Sequence, residues 1–266
     1  MANVLCIIAG QRAGTTALQS ALGSTGRFRN FREIFHTEPP DPTGTFLEFA
    51  RQRNLQVADM ATDSQAQAIA VDYLDHLDGL AQNQLPLIDI KLNSLHVIKP
   101  FWSYVHQMPF FLEMLLRKKA LFLLIRRRDV VEQVVSEGIA RSVEKWHALE
   151  EKDIAGQLEI SPALVASQAR LILQGEALVL GCLERSDRLI TVDYEDLYPE
   201  GLVNPKLLRA LEEKLGVELP PSVRPNIKKN EPDKRRVVAN YADIEKAVLE
   251  IAARYARPNS KHQITV

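Results

Sequence analysis

A short glycine-containing segment follows the first apolar run of the chain and leads into a helical pattern at Thr15. Its residues are Gly10-Gln11-Arg12-Ala13-Gly14-Thr15-Thr16. The first backbone N–H groups of a helix have no intrahelical partners, and the helix dipole adds partial positive charge at that end. Because such an end binds phosphates and similar anions, the segment predicts an anion site. Arg12 and the two threonine hydroxyls are further donors.

The segment departs in two ways from the phosphate loop of nucleoside-triphosphate hydrolases. That loop has the pattern GxxxxGK[ST], whereas Gly10 and Gly14 stand one position closer together and no lysine precedes Thr15. The sequence also shows no obvious carboxylate for a magnesium ion. ATP hydrolysis is therefore poorly supported, and a P-loop kinase or NTPase stays as an alternative interpretation.

Arg128 and Ser136 form a second candidate anion site. Asp129 is predicted to cap a helix, because Glu132 stands three positions later as in a capping box. Ser136 lies two helical turns beyond Asp129, so its side chain faces the same side as the helix start. Arg128 can reach the same anion with its planar guanidinium. The alternative is an exposed serine and a strand-end arginine that share no ligand.

Four apolar runs predict the strands that position these residues, because strands buried on both faces of a parallel sheet give such runs. They cover residues 4–9, 85–92, 120–125 and 188–192. Helices are predicted at 15–22 with Gly23 as stop, after Asp129, and at 161–184, 205–215 and 243–255. The alternation predicts an α/β fold with a central parallel sheet flanked by helices. Ligands of such sheets bind at the carboxyl ends of the strands.

The 266 residues have the composition of an ordinary globular protein. Hydrophobic residues make up 46% and charged residues 25%, and 33 basic against 34 acidic side chains leave a formal net charge of −1. That balance excludes a surface that grips nucleic acid or an anionic membrane throughout, and we expect no nucleic-acid partner. The length suits a single domain over residues 1–260, with 261–266 as a flexible tail.

Cysteine and histidine usage narrows the classes further. Cys6 and Cys182 are too few for a disulfide framework or a thiolate zinc site, and the histidines lack a metal-ligand spacing. We therefore expect no metal. The first apolar run is too short for a signal peptide or a membrane span, and we expect a cytoplasmic protein without a transmembrane segment.

The two candidate anion sites together resemble those of sulfotransferases that use 3′-phosphoadenosine 5′-phosphosulfate. The family's 5′-phosphosulfate loop is similar to Arg12-Ala13-Gly14-Thr15-Thr16, and its 3′-phosphate motif has an arginine and a serine spaced like Arg128 and Ser136. The resemblance implies a P-loop NTPase-like three-layer fold. It implies that Gln11 and the loop through Thr16, with Arg128 and Ser136, bind the donor.

The segment 24–36, STGRFRNFREIFH, resembles the bacterial branch similar to the trehalose-modifying enzyme. That branch carries a glutamate here, and the resemblance implies that Glu33 is the general base, with Arg12 as the catalytic cation. Ile34 replaces a tyrosine often found next to the glutamate. The acceptor implied is a hydroxyl of a carbohydrate, glycolipid or small natural product, and a homodimer stays open as the assembly.

Further pieces of the chain resemble the family. Asp193-Tyr194-Glu195-Asp196-Leu197 resembles its strand-end YEDL element, and Lys228-Lys229-Asn230 resembles its last basic loop, which implies donor contacts for these three residues. Lys91, His36 and Trp146 are candidate substrate contacts. Lys91 could instead be an edge lysine that extends to solvent, and Trp146 could be a core residue. A non-catalytic nucleotide-binding protein of the same fold is the remaining alternative.

Overall fold

A six-stranded sheet is the centre of the protein. The computed structural model describes residues 3–98, 108–143, 156–225, 233–255 and 263–264. The strands are β1 Leu5–Ala9, β2 Phe28–Glu33, β3 Leu85–Lys91, β4 Leu121–Arg126, β5 Leu189–Asp193 and β6 Gln263–Ile264. They are ordered β2-β3-β1-β4-β5-β6, and every pair is parallel. The predicted parallel sheet is confirmed.

Helices cover both faces of the sheet. They are α1 Thr15–Gly23, α2 Phe46–Gln52, α3 Asp63–Ala81, α4 Phe110–Arg117, α5 Val130–Ser142, α6 Pro162–Leu183, α7 Pro205–Leu215, α8 Lys234–Val237 and α9 Tyr241–Ala252. One apolar cluster packs α1 and α7 against one face, and a second packs α3, α4 and the end of α6 against the other. A third joins α5, α6 and α9. The chain therefore has the predicted three layers.

Alternate residues of β1 enter different clusters, which explains its unbroken apolar run. Leu5, Ile7 and Ala9 face α1, while Cys6 and Ile8 face the α3 side, and all five are fully buried. Side chains on successive strand residues point to opposite faces, so a strand covered on both faces has no polar positions. The same reason holds for β4.

Two strands were not predicted. β2 is an edge strand in which Phe28 and Phe31 are buried while Arg29 and Arg32 are exposed, so it gives no continuous apolar run. Its pairing with β3 shifts between Asn30 and Glu33, and Arg32 there has a φ of 58°. β6 lies within the segment predicted as a tail, where Gln263 pairs with Thr191 of β5.

Two details of the predicted helix ends are wrong. Gly23 belongs to α1 and has no left-handed φ, so the helix continues one residue further than expected. Asp129 does cap α5 by accepting the Glu132 backbone N–H at 2.8 Å. The reciprocal half of a capping box is replaced, because the Asp129 backbone N–H donates to Glu195 and the Glu132 carboxylate accepts from Lys234.

Among the described residues, one helix has the length and apolarity of a membrane span. This helix is α6, and 44% of its most apolar 18-residue stretch is buried inside the protein. Val165, Ile172 and Val179 on that helix belong to the apolar clusters. A core helix of a globular protein has the same pattern.

Candidate functional site

The loop between β1 and α1 leaves the first turn of α1 open to a ligand. Arg12 and Gly14 both have left-handed backbone, with φ of 61° and 74°, and no side chain caps α1. Left-handed residues within a turn direct successive backbone N–H groups into one concavity, which suits an anion. The predicted anion site therefore has the required backbone geometry.

Two buried side chains hold the backbone of this loop. Gln133 of α5 donates to the Gln11 carbonyl at 2.7 Å, and Arg127 donates to the Arg12 carbonyl at 3.3 Å. Both side chains are buried at the carboxyl ends of the strands. The loop conformation is thus fixed before a ligand binds, which favours anion binding because little reorganisation remains.

Tyrosines of the turn after β5 pack on Gly14. A Cβ atom at Gly14 would lie 2.5 Å from a ring carbon of Tyr194, and the Tyr198 hydroxyl donates to the Gly14 carbonyl at 3.3 Å. Arg127 stacks over the Tyr194 ring with its guanidinium carbon 4.9 Å from the centroid. Position 14 therefore requires glycine for its φ and for the close approach of Tyr194.

Arg12 joins the loop to Ser136. Its Nε donates to the Ser136 hydroxyl at 3.0 Å, and Ser136 is 4% exposed. The sequence places these residues in two separate motifs, and the structure brings them into contact. The loop and the second candidate anion site are therefore adjacent.

Arg128 has different partners from Ser136. Its guanidinium gives two hydrogen bonds to the Asp196 carboxylate, at 3.0 and 3.1 Å, and lies 3.7 Å from Asp193 and Glu195. The hydrogen bond to Asp196, followed by the attraction of these carboxylates, raises the pKa of Arg128. About half of the side chain is exposed. Arg128 thus faces an acidic turn after β5.

Glu33 ends β2 beside the anion loop. Gln11 Nε2 lies 3.5 Å from Glu33 Oε1, which is at the long limit of a hydrogen bond. Burial raises the pKa of Glu33; the Lys91 charge opposes this shift, Asp89 adds to it, and His36 opposes it. A carboxylate with a raised pKa is a better proton acceptor near neutral pH than an ordinary one.

His36 lies near Glu33 but is exposed. Its backbone N–H donates to the Glu33 carbonyl at 3.1 Å, and its Nδ1 accepts from the Glu38 backbone at 3.0 Å. The imidazole therefore has a local partner in the turn after β2, and it opposes the rise in the pKa of Glu33.

Lys91 is buried next to the helix start. Its Nζ donates to Thr15 Oγ1 at 2.7 Å and to Asp89 Oδ2 at 2.6 Å, and the residue is 4% exposed. The interpretation of Lys91 as an edge lysine that extends to solvent is wrong, because Asp89 pairs with it inside the protein. The structure brings the amino group to the anion loop.

Ala13 and Thr16 are the remaining predicted residues that the structure describes. Ala13 is a buried residue of the loop, and Thr16 is exposed on the first turn of α1. Trp146 and residues 228–230 lie outside the described residues, so their roles stay predictions. Within the described residues, no three His, Cys, Asp or Glu side chains gather as metal ligands.

Several residues of this site were missed from the sequence. They are Gln19, Asp89, Arg127, Gln133, Tyr194 and Tyr198. Two of these residues could have been predicted from their polarity at positions where the sequence pattern predicts burial. Asp89 interrupts an apolar strand, and Gln133 lies one turn before Ser136, so each is a polar residue at a position where burial is expected.

No family model matches this chain, and no curated protein matches it. Solved structures are similar. The sulfotransferase domain of the Synechococcus PCC 7002 olefin synthase has a TM-score of 0.51 and 16% identity over 96% of this chain and 95% of that one. A sulfotransferase from Alicyclobacillus acidocaldarius has 0.46 and 15%, over 98% of each chain. Sulfotransferase STF9 from Mycobacterium avium has 0.44 and 13%, over 97% of this chain and 69% of that one.

The first of these structures shows a shared fold. Its likeness extends over almost the whole of both chains. Together with the all-parallel sheet order and the loop before α1, it identifies the fold as the P-loop-like three-layer α/β type.

Proposed function

We propose that this protein is a sulfotransferase that moves a sulfuryl group from 3′-phosphoadenosine 5′-phosphosulfate to a hydroxyl of a carbohydrate, glycolipid or small natural product. The observation that carries the proposal is the adjacency of an anion loop and a half-buried carboxylate, through Gln11 and Glu33. The fold shared with the sulfotransferase domain of the olefin synthase supports it. An anion loop binds the donor, and a nearby base activates a hydroxyl.

The donor's 5′-phosphosulfate binds in the loop from Gln11 to Thr16. The backbone N–H groups at the start of α1 and the Thr15 and Thr16 hydroxyls are its hydrogen-bond donors, and Arg12 adds positive charge. Lys228 and Lys229 add cationic contacts from the C-terminal part of the chain, and Asn230 adds an amide. This binding needs no metal.

Transfer breaks the bond between the donor's terminal phosphate oxygen and sulfur, and forms a bond between sulfur and the acceptor oxygen. The leaving phosphate takes the bonding electron pair, and negative charge grows on it and on the sulfuryl oxygens. Arg12 and the loop amides stabilise that charge where it develops. Glu33 accepts the proton of the acceptor hydroxyl, for which its raised pKa suits it.

Ser136 and Arg128 bind the donor's 3′-phosphate. The contact of Ser136 with Arg12, a residue of the anion loop, supports this role. Arg128 is held by Asp196, so binding requires the 3′-phosphate to share or replace that carboxylate as its partner. A dianionic phosphate competes well for a guanidinium because it also takes two parallel hydrogen bonds.

A P-loop kinase or NTPase is the second candidate, and one observation favours it. The loop sequence has no lysine before Thr15, but Lys91 brings an ammonium group to the Thr15 hydroxyl from β3. Asp89, a carboxylate beside that position, accepts from Lys91 and Gln19 through Oδ2, while its buried Oδ1 accepts no hydrogen bond from the described residues. Lys91 already compensates the charge of this carboxylate, which disfavours a magnesium role.

Thermal unfolding with nucleotides separates the two candidates. We expect 3′,5′-adenosine bisphosphate to raise the unfolding midpoint, while ADP and ATP raise it much less, with or without magnesium. A ligand at about 100 times its Kd stabilises a protein by about 2.7 kcal/mol, which is measurable. A shift with ATP that depends on magnesium, and no shift with the bisphosphate, would overturn the proposal. Transfer of labelled sulfate to a panel of sugar acceptors then tests for turnover.

A further inference from the structure

Four polar side chains form a buried row between α1 and β3, in an interface that is otherwise apolar. Thr15, Gln19, Asp89 and Lys91 are 3%, 3%, 1% and 4% exposed. Thr15 and Gln19 stand one turn apart on α1, and Asp89 and Lys91 stand two positions apart on β3, so each pair shares a face. A buried ion pair is often no more stabilising than apolar residues of the same size. The row therefore points to a role other than stability.

Asp89 determines where the Lys91 amino group lies. Its Oδ2 accepts from Lys91 Nζ at 2.6 Å and from Gln19 Nε2 at 2.6 Å, so the carboxylate is fixed to α1 while it holds the lysine. The same amino group donates to Thr15 at 2.7 Å. The start of a helix repels a cation, so the ammonium group needs the Asp89 charge to stay there.

Glu33 is a competing partner for Lys91. It lies opposite Asp89 in the pairing of β2 with β3, and the Ile34 backbone N–H donates to the Asp89 carbonyl. Lys91 is close enough to Glu33 for its charge to lower the pKa of that carboxyl. Among the described residues, the carboxylate that pairs with Lys91 is Asp89. A lysine released from Asp89 therefore has Glu33 within its electrostatic reach.

We propose that Asp89 is a positioning residue, which holds the Lys91 ammonium against Thr15 at the anion loop and keeps it from pairing with Glu33. The inference rests on the proposed function, because it requires Glu33 to accept a proton and the loop to hold an anion. In this arrangement one buried ion pair keeps a cation at the donor and limits the effect of that cation on the basicity of Glu33.

The charges around Glu33 define the pH effect of removing Asp89. The groups that face Glu33 are Lys91 and Asp89 on β3, His36 in the turn after β2, and Gln11 in the loop. Loss of the Asp89 charge removes a group that raises the pKa of Glu33, and a freed Lys91 lowers it further. Glu33 then stays ionised to lower pH and is a weaker base.

The test compares Asp89→Asn, Lys91→Gln and the double variant. We expect Asp89→Asn to lower kcat by about tenfold or more, and to move the acidic limb of kcat/KM to lower pH. In the Lys91→Gln background, the same substitution lowers kcat by less than about threefold, because Asp89 acts through Lys91. Asp78→Asn, which removes an exposed carboxylate of α3, is the control and leaves kcat and the pH profile unchanged.

Losses in kcat that multiply in the double variant, with an unmoved acidic limb, would show a structural role and overturn the inference. If Asp89→Asn does not fold, Gln19→Met serves the same test, because it frees the Asp89 carboxylate from α1 and keeps every charge. We then expect a smaller loss of kcat with the same direction of pH change, and an unchanged profile refutes the role.

Bisphosphate binding, measured for each variant by calorimetry, distinguishes this inference from the proposed function. A wild-type protein that neither binds the bisphosphate nor transfers sulfate refutes the proposed function. An active wild-type protein whose folded Asp89→Asn variant has the same kcat and pH profile refutes only the role of Asp89.

Discussion

Glu33 is the residue on which the proposed chemistry depends. Its carboxylate combines partial burial with three charged neighbours of mixed sign, and burial is the largest effect on its pKa. A group with these properties accepts a proton more strongly than a solvated glutamate and still ionises. The activity of the wild-type protein should therefore fall on the acid side as Glu33 is protonated, at a pH above the ordinary glutamate range.

Replacement of Glu33 by glutamine tests that role. We expect Glu33→Gln to keep donor binding and to lose turnover by a factor on the order of 10² or more, since a general base contributes that much. Calorimetry with the bisphosphate and a sulfate-transfer assay measure the two properties. Glu38→Gln, an exposed neighbour, is the control. Turnover near wild type in Glu33→Gln would remove this residue from the mechanism.

Arg128 gives a second prediction for a single residue. Arg128→Ala should weaken binding of the 3′-phosphorylated nucleotide by about tenfold or more, because a charged hydrogen-bond pair is lost. Binding of the same nucleotide without its 3′-phosphate should change little. Titration calorimetry with both ligands checks this, with Arg117→Ala on the exposed surface of α4 as control. Equal weakening of both ligands contradicts the assignment.

The loop before α1 is the element whose backbone conformation forms the candidate anion site. Its left-handed residues, its contacts with α5 and its packing on Tyr194 all hold one backbone shape. Position 14 requires glycine for two separate reasons, a positive φ and the lack of space for a side chain. The energetic cost of each can be measured separately, because Gly26 has nearly the same φ but no atom near the position of a Cβ.

The comparison of Gly14→Ala with Gly26→Ala uses this difference. Gly26→Ala should cost about 1–2 kcal/mol of unfolding free energy from backbone strain alone. Gly14→Ala should cost more, and should also abolish the stabilisation by the bisphosphate, because the ring of Tyr194 must move. Urea unfolding with and without the ligand measures both effects. If both variants lose the same unfolding free energy and both are still stabilised by the ligand, the Tyr194 contact contributes neither to stability nor to ligand binding.

Strands buried on both faces were predictable, and the edge strand was not. β1 and β4 show in the sequence because every residue is apolar or nearly so, whereas β2 mixes Phe28 and Phe31 with exposed arginines. Glu33 was therefore found from a resemblance and not from a periodic pattern. The contacts of Arg128 were unpredictable for a different reason: the acidic turn after β5 reaches it only through the register of Arg126 with Asp193.

At the scale of the whole molecule, the net charge of −1 does not show how the charges are arranged at the site. Buried or half-buried cations stand at the carboxyl ends of the strands, each with an acidic partner: Lys91 with Asp89, Arg126 with Asp193, and Arg128 with Asp196. Each of these cations is thus compensated by a neighbouring carboxylate. The composition predicts that the surface does not bind polyanions throughout, and the structure shows how a near-zero net charge coexists with a strongly charged centre.

The parallel order of the sheet has a consequence for how the protein folds. Leu5 pairs with Leu87 and with Leu121, so no strand of the central region can form by a local hairpin. Contacts between such distant parts of the chain form slowly, because loop-closure entropy must be overcome first. The anion loop is held by β4, α5 and the turn after β5, and so it is complete only when these late segments have arrived. Binding of the proposed nucleotide donor would therefore report that these late segments have folded.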